Sequence, residues 1–150
     1  MLLGDIVRLN GRKSPGKTAI VSEDRTVTFG QLRDRMFRVA NAMGGLGAPG
    51  DRVGILAENI PEYVECYYGV PSAGMALTFL NYRLHPKEWA WILNNAEASV
   101  LLVHDKYLDQ IQPHLADIHA SADQHPDPAT LGLVGQLGQQ AGLAYPRVTG

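Results

Sequence analysis

Apolar residues along this chain alternate between two rhythms, and the alternation predicts a layered α/β fold. Val53-Gly54-Ile55-Leu56 is a short apolar run that suits a strand covered on both faces, Met75 to Leu80 returns as a strand, and Val100 to Val103 is a third apolar strand. Stretches with helical spacing separate them. Leu32, Met36, Val39, Met43 and Leu46 recur at intervals of four and three, which places them on one helical face, with Arg33, Asp34, Arg35 and Arg38 turned to water. Tyr63, Val64, Tyr67 and Tyr68 give an apolar face to the helix after the first strand. Trp89, Ile92 and Leu93 do so after the second, and Tyr107, Leu108, Ile111, Leu115 and Ile118 after the third. Ahead of these, Leu2, Leu3, Ile6, Val7 and Leu9 predict a short opening helix stopped by Asn10-Gly11, and Ala19-Ile20-Val21 and Thr26-Val27-Thr28 flank Glu23-Asp24-Arg25 as a hairpin. Strands alternating with helices imply a mainly parallel, doubly wound sheet flanked by helices, with right-handed crossovers.

Punctuation residues sharpen these boundaries. Thr28 and Gln31 have capping-box spacing, and Gly44, Gly45 and Gly47 end the helix they open. Pro49-Gly50 predicts a turn that needs glycine at its second central position. Asn59 reads as an N-cap with Pro61 in the first turn and Glu62 as its reciprocal partner, and His85-Pro86-Lys87-Glu88 reads as another helix start. The pattern decays after Ile118, where His125-Pro126-Asp127-Pro128 disfavours regular helix. Residues 1–118 therefore read as an α/β subdomain that is an incomplete part of a larger domain, and 119–150 as a linker and weakly structured tail. A short helix within 131–145 is expected to pack only on sequence outside the chain.

Composition narrows the class without choosing a function. With 150 residues, 45% apolar and 19% charged, the chain can bury a core, and a formal charge of −2 gives no general attraction to nucleic acid or anionic membranes. Cys66 stands alone, so no internal disulfide forms. The start, Met1-Leu2-Leu3-Gly4-Asp5, has an acid where a signal peptide would be basic, and no run approaches the ~20 apolar residues of a membrane span. The expected compartment is the cytoplasm.

Several residues invite chemical readings. Gly11 to Thr18 fits the phosphate-loop pattern G-x-x-x-x-G-K-S/T, but such a loop needs a buried strand before it and a helix after it. Here an amphipathic segment precedes and a β-rich run follows, so a P-loop phosphotransferase is the weakest of the functional readings. His85, His104, His114, His119 and His125 lack the i, i+4 spacing of helical metal pairs; His85 reads as a helix-entry residue and His104 as a strand end. Cys66 is placed on the polar side or flank of its helix, in a packing role. Tyr63, Tyr67, Tyr68, Trp89 and Trp91 could wall an acyl site, yet core packing explains all but Trp91, which falls off the Trp89 face. Asn81 and Arg83 follow a strand where open α/β sheets bind ligands; the simpler reading has Asn81 bonding backbone and Arg83 pairing an acid. No catalytic, cofactor-binding or metal-ligating residue is assigned.

The order of these motifs resembles the N-terminal part of the adenylate-forming acyl- and aryl-CoA ligases. Val27-Thr28-Phe29-Gly30-Gln31-Leu32 is similar to that family's first core motif, Leu-Thr-Tyr/Phe-x-x-Leu, and Tyr68 to Asn81 to its second, in which a helix passes through Ala-Gly into a strand. Asn81-x-Arg83-Leu84 looks like the CoA-ligase branch, and the stretch from Pro15 through Lys17 to Ala19 looks like the lead into the first strand. Phe79-Leu80 departs from the usual Pro-Leu, and Pro71 interrupts the helix near the usual Lys-Ala-Gly. The resemblance covers roughly residues 15–104. It implies a place in the large N-terminal domain of an AMP-forming ligase that turns a carboxylic acid, a fatty acid first and an aryl acid second, into its CoA thioester through an acyl-adenylate. ATP, magnesium and coenzyme A are implied for that parent, and none for this stretch. The family's Ser/Thr/Gly-rich phosphate loop ending in Pro-Lys does not occur in the chain, so it is expected to be scaffold, inactive alone, with the remainder of the ligase as its partner and a homo-oligomer as one possible state. The rival reading is a non-catalytic interaction or dimerisation module.

Overall fold

Thr28 closes the hairpin and starts the first long helix in one step. In the computed structural model, which describes residues 3–23, 25–119 and the backbone of 132–135, Gln31 N–H donates to the Thr28 hydroxyl at 3.3 Å while Thr28 N–H donates to the Gln31 side chain at 2.9 Å. This capping box opens α2 (Phe29–Gly44), after α1 (Leu3–Lys13) and the antiparallel pair β1 (Thr18–Val21) and β2 (Thr26–Thr28). Leu32, Met36 and Met43 are buried on α2, as their spacing predicts.

These elements and α3 (Pro61–Ser72) form one of two compact units, residues 1–49 with 59–75. Its core gathers Val7, Val27, Leu32 and Met36, with Ala19, Ile20, Val64 and Tyr68 against them. Two expectations change here. Asn10-Gly11 does not stop α1: the helix continues to Lys13 because Gly11 is where it meets α2, a Cβ there lying 2.8 Å from the Arg33 Cβ and 2.9 Å from the Phe29 carbonyl. On α3 the cap is Ile60, not Asn59, and the buried set is Pro61, Glu65, Cys66, Gly69 and Val70 rather than the tyrosine face. Tyr67 is exposed. Gly69 explains the rotation, since its missing side chain lets the backbone approach Val39 on α2.

The second unit, residues 50–58 with 76–150, is built on a parallel sheet in the order β4-β3-β5-β6. Its strands are β3 (Arg52–Leu56), β4 (Ala76–Leu80), β5 (Val100–Val103) and β6 (Gly132–Gly135). Gly50 takes φ +97°, the conformation the Pro49-Gly50 turn requires. Val53 to Leu56 and all of β5 are buried. α4 (Pro86–Asn95) sinks Trp89 and Leu93 into the core beside Leu56, Leu101 and Val103, and Gly54 leaves room for Leu93, whose Cδ2 would lie 2.3 Å from any Cβ added there. The helix predicted over Tyr107 to Ile118 is divided: α5 (Asp105–Ile111) passes into a 3-10 turn at Gln112–Asp117, where Pro113 removes a donor. β6 corrects the short helix expected within 131–145, because 132–135 pair in parallel with β5. The rest of 120–150 lies outside the described residues.

Candidate functional site

Ligands of open α/β sheets settle at the carboxyl ends of the strands, and in this sheet those ends are Glu58 after β3, Asn81 to Arg83 after β4, and His104 to Tyr107 after β5. Asn81 acts structurally: its side chain accepts from Arg83 N–H at 3.0 Å, and its carbonyl accepts from the Trp89 indole at 2.8 Å, fixing α4 to the end of β4. His85 and His104 are matching helix caps. Each Nδ1 accepts the backbone N–H of a lysine two residues on, Lys87 and Lys106, at 3.2 Å. The His104-Asp105-Lys106 cap is a sequence signal that repeats His85-Pro86-Lys87, and it adds a capping role to His104 at the end of β5.

Above these caps lies a charged and aromatic surface. The Glu58 carboxylate accepts from Lys106 Nζ at 2.5 Å and from the Tyr107 hydroxyl at 2.8 Å. The Lys106 hydrogen bond, then that of Tyr107, holds Glu58 below the usual carboxylate range. Burial, then the Glu58 contact, pushes the Tyr107 phenol up to about 12. Tyr107 packs edge-on to Trp89, with ring centres 6.0 Å apart, and lies 5.9 Å from Tyr82. Arg83 does not pair an acid among the described residues; its guanidinium lies 5.3 Å above the Tyr82 ring. This edge presents two exposed cations, Arg83 and Lys106, on an aromatic floor. The Lys106 charge is met by Glu58, while Arg83 makes no ion pair among the described residues. A phenol near 12 is not a base at neutral pH, and no cluster of metal ligands occurs among the described residues.

The other candidates fall outside this edge. Gly11 to Lys13 lie in α1 and β1 begins at Thr18, so the phosphate-loop pattern runs helix to strand, and its Ser14 and Lys17 N–H groups donate to Asn10 and Ser14 carbonyls. These residues do not fit a nucleotide phosphate. Cys66 is buried, not on a polar flank, and burial pushes its thiol up to about 12, which removes it as a nucleophile. Trp89 is core at 0% exposure and Trp91 is 67% exposed, as their faces predict. Arg35 turns inward to Glu65, against the expectation that its side of α2 faces water. Glu65, missed in the sequence, is buried, and that burial raises its carboxyl although Arg35 opposes the shift. No helix among the described residues is long and apolar enough to cross a membrane.

Comparison with known proteins gives this arrangement its context. Residues 7–143 match the family model of the AMP-binding enzymes. The chain is 33% identical over 102 residues to 4-hydroxybutyrate–CoA ligase 2 of Metallosphaera sedula, covering 67% of this chain and 19% of that one. The anthranilate CoA ligase AuaEII, solved with anthranoyl-AMP, superposes with a TM-score of 0.75 at 31% identity, over 79% of this chain and 23% of its own. A fatty acyl CoA synthetase of Mycobacterium tuberculosis superposes with a TM-score of 0.72 at 25% identity, over 90% of this chain and 26% of its own. The chain thus spans about a fifth to a quarter of the length of these proteins. It belongs to the AMP-binding enzyme family and carries an N-terminal portion of the adenylate-forming CoA ligase fold.

Proposed function

We propose that this chain is the opening scaffold of an ATP-dependent acid–thiol ligase and does not catalyse by itself. The observation that carries the reading is the match over residues 7–143, together with a sequence that holds no phosphate loop ending in Pro-Lys. Adenylation replaces a poor leaving group with AMP, and stabilising the phosphoryl charge takes positioned donors and magnesium. Nothing described at residues 11–18 or at the carboxyl edge of the sheet supplies that set, so no step of the reaction is assigned to these residues. Their part is to hold β3, β4 and β5 in register and to form part of the wall of a site completed by the remainder of the ligase. In the parent, ATP would supply the adenylate and coenzyme A the accepting thiol.

The substrate is a carboxylic acid, with a fatty acid first and an aryl acid second. The relatives named above include both kinds, and the aromatic floor at Tyr82 and Tyr107 suits either. The cytoplasm is the proposed compartment, and residues 1–118 with the following tail are proposed as an incomplete part of the parent's large domain. Acid-dependent exchange of labelled pyrophosphate into ATP tests the reading, measured on this chain alone and on the chain joined to the remaining sequence of a CoA-ligase relative. The chain alone is expected to give no exchange with fatty, hydroxy or aryl acids. Acid-dependent exchange by the 150-residue chain, or a folded joined protein inert with every acid, would overturn the proposal.

A further inference from the structure

We propose that a concavity between β2 and α2 binds a multivalent oxyanion of the phosphate class. The hollow encloses about 300 Å³ and is walled by Arg25, Thr26, Gln31, Asp34, Arg35 and Arg38. Two of its guanidinium groups are held from beneath by α3. Arg25 pairs with Glu62; Arg35 pairs with Glu65 and lies 3.7 Å from Glu62. Anchored this way, they lose little freedom when an anion arrives, which is the condition under which planar forks bind oxyanions well. Arg38 is exposed and makes no ion pair among the described residues, so its charge is available.

The remaining wall combines two donors with one carboxylate. The Gln31 side-chain oxygen is taken by Thr28 N–H at 2.9 Å, which leaves its amide hydrogens to point elsewhere. Thr26 adds an exposed hydroxyl. Among the described residues Asp34 is the one carboxylate lining the hollow, and one of its oxygens already accepts from Arg33 at 2.9 and 2.7 Å. Three arginines line the hollow, against one lining carboxylate among the described residues and two more, Glu62 and Glu65, in the layer beneath. A monovalent ion would engage one fork only; an ion with several oxygens and at least two charges uses the converging set. This inference is independent of the ligase reading, and the chain's lack of the family phosphate loop keeps its test separate.

Titration of the 15N-labelled 150-residue chain with inorganic pyrophosphate at low ionic strength tests it, following backbone amide shifts. Saturable shifts are expected at Thr26, Gln31, Arg35 and Arg38, with a dissociation constant of about 1 mM or tighter. Arg38→Ala is expected to weaken binding about fivefold or more without unfolding the chain, and Glu62→Gln to tighten it by removing a competing charge. The two variants therefore move affinity in opposite directions. Parallel titration with glycerol 3-phosphate separates an esterified phosphate, bound as well as pyrophosphate, from an inorganic ion, bound in preference to it. Shifts that never saturate, that centre away from residues 25–38, or an Arg38→Ala constant within twofold of the parent's would overturn the inference.

Discussion

Replacing Gly69 with alanine should destabilise the chain although alanine is the better helix former. An added Cβ would lie 2.6 Å from both Cβ and Cγ1 of Val39 and 3.0 Å from the Met36 carbonyl oxygen. Carbon atoms pack at ~3.5–4.0 Å, so α2 and α3 must separate locally by about 1 Å. Side-chain rotation does not relieve this. The Val39 Cβ is fixed to its backbone, its χ1 is stiff in a helix, and the Met36 oxygen is itself backbone. Overpacking at such a site costs about 3 kcal/mol, at the top of the usual range, and the helix propensity of alanine returns about 1 kcal/mol. The net loss of about 2 kcal/mol, with a urea slope of about 2 kcal/mol/M, lowers the midpoint by about 1 M. Gly44→Ala is the matched control: nothing lies within 4 Å of a Cβ there, so this substitution at the end of α2 should raise the midpoint, by up to about 0.5 M. In a double-mutant cycle, Val39→Gly with Gly69→Ala should recover at least about 1 kcal/mol relative to the sum of the single changes. A Gly69→Ala chain as stable as its parent would refute the close-approach argument.

Leu32→Asp, at a position 2% exposed, should prevent folding, whereas Lys17→Ala should shift stability by no more than about 0.5 kcal/mol; urea midpoints ranked the other way would restore the phosphate-loop reading. Tyr107 has a folded-state pKa of about 12, above the ~10 of an unfolded tyrosine, so its stabilising contribution is complete below pH ~10 and is lost as pH rises through 12. Absorbance titration should show one phenol ionising late and coincident with unfolding, a feature absent from Tyr107→Phe. Trp91, beside Leu84 and Ile92 on an apolar patch, is the proposed contact of a homo-oligomer. Light scattering over a dilution series should show association weakened by Trp91→Glu, and a monomer at every concentration would count against it.

What could be read from the sequence was local in origin. The Thr28 capping box, the positive φ at Gly50, the runs at 53–56 and 100–103 and the displacement of Trp91 from the Trp89 face all follow from residues within a turn or two of one another. Apart from the α3 cap at Ile60 and the break at Pro113, the misreadings involve partners distant in sequence. A tyrosine-rich stripe on α3 competed with one that includes a glutamate, and the second is buried because Gly69 lets α3 approach Val39 on α2, where Arg35, thirty residues before Glu65, meets its carboxylate. Gly11 looked like a stop until α2 was seen lying against it. Gly132-Leu133-Val134-Gly135 is too short to distinguish strand from helix by period; β5 decides. At the candidate site, Asn81 was legible as a turn residue. Glu58 was not, because its two partners come from α5.

The strand order has a consequence for how the chain reaches this state. β3 is made first yet pairs on both sides with strands made later, Arg52 with Ala76 on one edge and Val53 with Val100 on the other. During synthesis its two rows of amides therefore stay without strand partners until β4, and then β5, are available. The second closure spans roughly twice the chain length of the first, and doubling a loop costs only about 0.6 kcal/mol, so chain entropy barely ranks the two. Order of synthesis ranks them instead, since β4 becomes available to β3 before β5 does. Amides of β3 should consequently be the last to exchange with solvent deuterium, and substitutions in β3 should slow refolding more than equally costly substitutions in β4.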